Sequence, residues 1–233
     1  MNTKYSEEVL TKLKAWMKES LIKNHYANTL ALKDPNKLDI NPFTTPYLSY
    51  FLTGKVDAEG LAKVMVYPRS LGTSISTSFG SGIQKFIVKN LSADGSMIDG
   101  IDFQFDDKVD GRRKYCQLKS GPNVLNFDDV TTIKNHFVQA LRRARENHVP
   151  IVHSDLVLCI IYGSDAKLNS FIKKVKEDYD VYIGKEFWYR LTGDPDFYDK
   201  ATTAMLEIAK ELDMDGVVEN VVKELSSNLK FRK

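Results

Sequence analysis

Apolar positions recur along this chain with two different periods. Near the start, Val9, Leu13, Trp16, Met17 and Leu21 fall at helical spacing and mark one apolar face. The stretch from Asp34 to Pro46 contains three prolines and little periodicity, which predicts a loop. Leu61 to Tyr67 predicts a buried helix end, and Pro68 interrupts the pattern. Residues 71–91 begin small and hydroxylated, then read as helix from about Ile83 to Leu91. The period changes to two over residues 101–119. Beyond them, Asn126 or Asp128 can cap a long helix that reaches about His148, before Pro150. Asp155 to Tyr162 is an unbroken apolar run ended by Gly163, which suits a strand buried on both faces. A helix near Leu168 to Lys176, a short strand near Val181 to Ile183, and a last amphipathic helix through Val218, Val221, Val222, Leu225 and Leu229 complete the pattern.

A hairpin followed by strand, helix and strand predicts an α/β fold, a mixed sheet flanked by helices. The expected organisation is an N-terminal helical and loop arm over 1–60, a core over 61–200 and C-terminal helices over 201–233, one domain overall. A chain of 233 residues, 42% hydrophobic and 27% charged, can bury such a core without metal or disulfides. The net charge of +2 permits nucleic-acid binding without arguing for it. Cys116 and Cys159 sit in apolar stretches without a CxxC pattern and read as small buried hydrophobes of a reducing compartment. MNTKYSEEVL lacks an apolar signal core, and no stretch approaches the ~20 apolar residues of a membrane span, so a cytoplasmic protein is expected.

The hairpin segment, GIDFQFDDKVDGRRKYCQLKSGPN, holds the candidate chemistry. Asp110-Gly111 is a strong two-residue turn signal. With that turn, Asp102 falls opposite Lys119 and Gln104 opposite Gln117, all on one face; a longer turn shifts the register by two and keeps the faces. The other face receives Ile101, Phe103, Phe105, Cys116 and Leu118. A carboxylate is a good Mg²⁺ ligand, and a nearby ammonium can stabilise charge developing on a phosphate. The plainer structural reading is an ion pair between Asp102 and Lys119 on a solvated face.

An Asp, a hairpin and then Gln-Leu-Lys resemble the PD-(D/E)xK nuclease core. Taken with GTSISTSFGSGIQKF and GKEFWYRLTGDPDFY, the chain from about 41 to 200 resembles type II restriction endonucleases, and among them the TdeIII-like group that cuts GGNCC-type palindromes. The resemblance implies that Asp102 is the metal-binding aspartate, Lys119 the motif lysine and Leu118 a backbone-carbonyl ligand. It implies Mg²⁺ as cofactor, with Mn²⁺ able to substitute. Gln117 departs from the family, which has Glu or Asp there. Gln117 then serves as a neutral ligand, another carboxylate such as Asp99 or Asp106 compensates, or activity is lost. Gln84 stands where the family often has an acidic or amide residue on the preceding helix.

Arg112, Arg113 and Lys114 near the hairpin tip, Ser120 and Asn123 after it, and Lys134, His136, Gln139, Arg142 and Arg143 on the long helix are candidate DNA contacts. Each has an ordinary alternative as a solvated or turn-forming side chain. Phe187, Trp188 and Tyr189 can stack on bases or fill the core, and the basic NLKFRK end reads as a frayed tail. The glycines at 72, 80 and 82 lack the Lys-Ser/Thr of a P-loop, and the scattered histidines carry no zinc motif. A homodimer on a short palindromic duplex is expected, because a palindrome has two-fold symmetry. A structure-selective nuclease, a non-catalytic DNA-binding protein with a decayed core and a globular protein unrelated to DNA are the rival readings.

Overall fold

The computed structural model describes residues 3–91 and 98–229. The basic end of the chain from Lys230 onward and the first two residues lie outside them. The elements run α1 (Thr3–Trp16), a π-helical turn (Met17–Ile22), α2 (Lys23–Ala31), α3 (Thr44–Thr53), α4 (Ala58–Pro68), a second π-helical turn (Arg69–Ser74) and α5 (Ile75–Leu91). They continue with β1 (Phe103–Asp106), β2 (Arg113–Lys119), α6 (Phe127–Glu146), β3 (Leu156–Ile160), α7 (Ser170–Lys176), β4 (Asp180–Ile183), α8 (Lys185–Thr192), α9 (Phe197–Glu211) and α10 (Val217–Asn228).

The chain forms two compact units, one of residues 1–15 and 80–205, the other of 16–79 and 206–233. The first holds the four-stranded sheet, ordered β1-β2-β3-β4. β1 and β2 are antiparallel, while β2 with β3 and β3 with β4 are parallel. This is the mixed α/β sheet that the alternation of patterns predicts. Every residue of β3 is buried, as its unbroken apolar run requires.

Helices cover both faces. On one, Tyr115, Leu156, Leu158 and Ile160 pack against Ile133, Phe137 and Ala140 of α6 and Ile172 and Val175 of α7. On the other, Phe103 and Phe105 meet the edge of the Phe187 ring of α8 at 6.4 Å. Phe187 and Trp188 are buried, so these aromatics fill the core and are not a base-stacking surface. In the second unit Ala62, Met65 and Val66 of α4 pack with Val221, Val222 and Leu225 of α10.

Three local expectations change. Chain reversal at the hairpin spans Asp107 to Arg112, closed by Asp107 N–H to the Arg112 carbonyl at 2.9 Å, so Asp110-Gly111 is only part of a longer turn. The register moves by two, pairing Phe103 with Cys116 and Gln104 with Tyr115, and the faces are kept. The cause is Asp107, whose buried carboxylate accepts from Val109 N–H at 2.8 Å and from Arg190 at 2.7 Å and starts the turn early. Second, α4 ends at Pro68 as expected, but the chain does not leave helical geometry there, because a π-helical turn follows and leads into α5. The small, hydroxylated segment is therefore helical, and a helix also begins inside the predicted loop, at Thr44. Third, Ile101 lies before β1 and packs in the α6-side cluster, outside the period-two pattern.

Candidate active site

The candidate residues come together at the end of β2. Asp102 N–H donates to the Cys116 carbonyl at 2.9 Å, which extends the ladder by one residue and places Asp102 across from Gln117. Its Oδ2 accepts from Leu118 N–H at 2.7 Å. Main chain and side chain thus both fix the exposed carboxylate, and Oδ1 accepts no hydrogen bond from the described residues.

Gln117 shares that face, but the face is not solvated. α6 covers it, and Gln117 is only 7% exposed. The amide nitrogen donates to the Gly100 carbonyl and to Nδ1 of His136, 2.7 Å away, which assigns the remaining imidazole proton to Nε2. Both N–H groups are therefore engaged, and Oε1 accepts no hydrogen bond from the described residues. Gly100 makes this possible. It has φ +81°, and a Cβ there would lie 2.4 Å from the His136 ring.

Lys119 does not pair with Asp102. Its ammonium lies 3.3 Å from Oδ1 of Asp129, with both side chains 28% exposed. Asp129 sits in the first turn of α6 and forms a capping box with Asn126, each side chain accepting from the other's N–H at 2.9 Å. The N–H of Asn126 holds the Asp129 carboxyl below the usual carboxylate range against the opposing pull of burial, and Lys119 adds to the lowering. The site therefore holds an ionised carboxylate that the sequence reading did not single out. The only signal was the capping pattern, which explains Asp129 without reference to Lys119.

The other carboxylates have partners elsewhere. Asp99 pairs with Arg143 at 3.0 Å and Asp106 with Arg113 at 3.0 Å. Gln84, on α5, donates through Nε2 to the Leu118 carbonyl at 3.0 Å, so it touches a candidate metal-ligating atom directly. Among the described residues no group of three or more His, Cys, Asp or Glu side chains is placed to hold a metal ion. The donor set is instead one free carboxylate oxygen from Asp102, the free amide oxygen of Gln117 and the Leu118 carbonyl. Oxygen donors of this kind fit Mg²⁺, which takes few protein ligands and keeps waters. They suit zinc poorly, because it favours nitrogen and sulfur.

The basic candidates separate by environment. Lys114 is 2% exposed, with its ammonium 2.7 Å from Asp110 and donating to the Ser154 carbonyl at 3.0 Å, so it faces the interior. Arg112 makes a bidentate pair with buried Asp155 at 2.6 and 2.7 Å. Burial works against the Asp155 charge, but Arg112 and the Val152 N–H outweigh it and hold the carboxyl below its ordinary value. Lys134 pairs with Asp178 at 2.5 Å, Arg142 with Glu146 at 2.9 Å, and His136 is engaged by Gln117. Asn123 and Gln139 are exposed, and Ser120 is half-buried directly after Lys119. Cys116 and Cys159 are buried, and burial first, then Cys159, pushes the Cys116 thiol well up.

A sequence-family model described as type II restriction endonuclease EcoO109I matches residues 45–213, a span that contains Gln84, Asp102, Gln117, Lys119 and Asp129. No curated protein matches the chain.

Proposed function

The chain belongs to the EcoO109I family of type II restriction endonucleases, and from that premise we propose that it hydrolyses phosphodiester bonds of duplex DNA with Mg²⁺ to give double-strand breaks. The proposed target is a short palindrome of the GGNCC type. One observation carries the reading at the level of the site: Asp102, Gln117 and Lys119 share one sheet face at the end of β2, with an oxygen of Asp102 and of Gln117 free of hydrogen bonds among the described residues and the Lys119 ammonium held by Asp129.

Asp102, Gln117 and the Leu118 carbonyl would hold the ion, and Mn²⁺ would be tolerated in the same oxygen set. When bound, the cation supplies Lewis-acid polarisation of the phosphoryl oxygens and acidifies a water. Lys119 stabilises charge that develops on the phosphate, and Asp129 holds the ammonium in place. Gln84 orients the Leu118 carbonyl, and Gly100 and His136 together fix the amide nitrogen of Gln117, which leaves its oxygen for the ion. DNA would be held by Asn123, Ser120, Gln139, Arg142, Arg143 and Arg113, whose ion pairs are at the surface and exchange readily for phosphates. No helix among the described residues is long and apolar enough to cross a membrane, which accords with a cytoplasmic enzyme.

Cleavage of a long sequenced duplex with and without Mg²⁺ tests this. Discrete, cation-dependent fragments with fixed ends are expected. A second reading rests on the neutral Gln117: a protein that binds DNA and no longer cuts it. Intact DNA with Mg²⁺ and with Mn²⁺, together with retained duplex binding, would replace the first reading by the second.

The active form is proposed to be a homodimer. α3 and its flanks expose Phe43 (87%), Tyr47 (63%), Tyr50 (64%) and Phe51 (75%), with Ile40, Leu48, Leu52 and Val56 beside them. Aromatic side chains carry ~150–250 Å² each, so these four expose on the order of 500–700 Å². The aliphatic neighbours bring the patch towards the ~800 Å² that each partner contributes to a stable interface. Such a patch exceeds what most monomers expose, and its few charges make it self-complementary. Sedimentation of the wild type should give a dimer at micromolar concentration, and Phe51→Glu should give a folded monomer. A monomeric wild type would remove this surface from the reading.

A further inference from the structure

α6 is tied to the candidate active site at two points. Asp129, in its first turn, meets Lys119 at 3.3 Å, and His136, two turns on, holds Gln117 at 2.7 Å. Val130, Ile133, Phe137, Ala140 and Ala144 fix its inner face in the core. Its outer face presents Thr131, Thr132, Asn135, Val138, Gln139 and Arg142, exposed residues that recur at helical spacing. No Asp or Glu occurs from Val130 to Arg145. The outer face is sorted along its length. From Thr131 to Gln139 it offers uncharged hydroxyls and amides, and Arg142, Arg143 and Arg145 follow only near its end. Lys134, at the flank, is paired with Asp178 at 2.5 Å.

That sorting separates two kinds of DNA contact. Phosphates are held by cations, whereas base edges are read by side chains that both donate and accept. Asn135 and Gln139 each carry two amide donors and a carbonyl acceptor, and neither side chain makes a hydrogen bond among the described residues. The threonine hydroxyls also donate and accept. A solvated helix face of this length commonly alternates Glu with Lys at spacings of three and four, and this one has no acid to do so. At ~1.5 Å per residue, Asn135 lies roughly 9 Å and Gln139 roughly 15 Å along the axis from Asp129, a span of about three to four stacked base pairs. The major groove, about 12 Å wide, admits a helix. A second copy of this chain would bring the same positive sign to the arginine end of the face, whereas duplex DNA brings the opposite one.

We propose that the outer face of α6 enters the major groove of the target, where Asn135 and Gln139, flanked by Thr131 and Thr132, are specificity-determining residues that read base edges, while the arginines at its end hold phosphates. The proposal rests on the DNA-nuclease reading above and assigns its sequence readout. A library of duplexes with a randomised segment is selected on the full chain in Ca²⁺ and the bound sequences are read. The same library is cut in Mg²⁺ and the ends are read. Wild type should yield one consensus by both routes. Asn135→Ala and Gln139→Ala should each relax that consensus at one symmetric pair of positions, with at least ~5-fold less discrimination there, and keep wild-type affinity for unrelated duplex. Arg142→Ala should instead weaken every duplex alike and flatten the salt dependence. Both amide positions are exposed, so melting midpoints should match wild type. An unchanged consensus in both amide variants would overturn the proposal and leave the nuclease reading standing. A uniform loss of affinity in them would do the same. A shift of either variant from dimer to monomer in sedimentation would assign the face to a subunit contact and overturn it too. A wild type that neither selects nor cuts any duplex would instead remove the nuclease reading, and this one with it.

Discussion

Asp102→Asn and Lys119→Met should each lower the rate of DNA cleavage by about 10²–10³-fold, the usual effect of deleting one group that stabilises transition-state charge. Asn at 102 keeps an oxygen for the Leu118 N–H, so the 2.7 Å contact that holds the strand end survives while the ligand loses its charge. Met at 119 keeps the apolar stem and removes only the ammonium beside Asp129. Neither position lies in the packed core, so folding should be unaffected. Single-turnover cleavage at saturating enzyme, run beside duplex binding in Ca²⁺ and thermal melting, separates chemistry from binding and from stability. Wild-type rates in either variant would remove that residue from the mechanism.

Asp107→Ala should cost about 3–5 kcal/mol of stability, the range for removing one partner of a buried ion pair. Asp107 is 1% exposed. Its carboxylate accepts from Val109 N–H at 2.8 Å and from Arg190 at 2.7 Å, and its main-chain N–H and C=O close the turn. Arg190 is held in turn. Its carbonyl accepts from Lys108 N–H at 2.7 Å, and its guanidinium lies 4.1 Å from the centre of the Tyr182 ring. Burial opposes its charge, yet Asp107 raises its pKa further above an already high value. Without Asp107 the half-buried guanidinium would keep only the exposed Glu186, 3.1 Å from its Nε. Urea denaturation measures the loss, and Asp107→Asn should lose less because it keeps an oxygen for Val109. A loss below about 1 kcal/mol, the level of an exposed pair, would contradict the burial argument.

Where a pattern is local, it was legible in the sequence. The period-two run over β1 and β2 gave the faces of the hairpin, and Asn126 gave the start of α6. The hairpin takes the register of the longer turn rather than that of the two-residue turn, and the choice between them lay outside local spacing because Asp107, which sets it, is fixed by Arg190, far along the chain. Pro68 marks the end of the regular helix as its pattern indicates, but the π-helical turn that carries the chain on into α5 has no signal in the spacing. The site itself was half legible. Asp102, Gln117 and Lys119 follow from strand parity. The solvated face did not survive, because nothing in the spacing says that α6 folds back over Gln117. Asp129 escaped because only Asn126 and Asp128 read as caps, and nothing in the spacing says that a carboxylate in the first turn of α6 meets Lys119.

The anchoring of Gln117 bears on how this chain could evolve. A single base change converts a glutamine codon to glutamate and would write the common nuclease motif back into the sequence. Here that step is obstructed by the neighbours. Gly100 presents a carbonyl oxygen and His136 a ring nitrogen, both accepting from the amide. A carboxylate would meet the Gly100 oxygen with like partial charge unless that turn moved, and would require the imidazole to carry its proton on Nδ1 instead of Nε2. Glycine at 100 is itself required by the closeness of the His136 ring. The three positions are thus mutually entrenched. Glutamate at 117 becomes accessible only after a permissive change in the turn at Gly100, so the order of substitutions, rather than their number, decides whether that step can be taken.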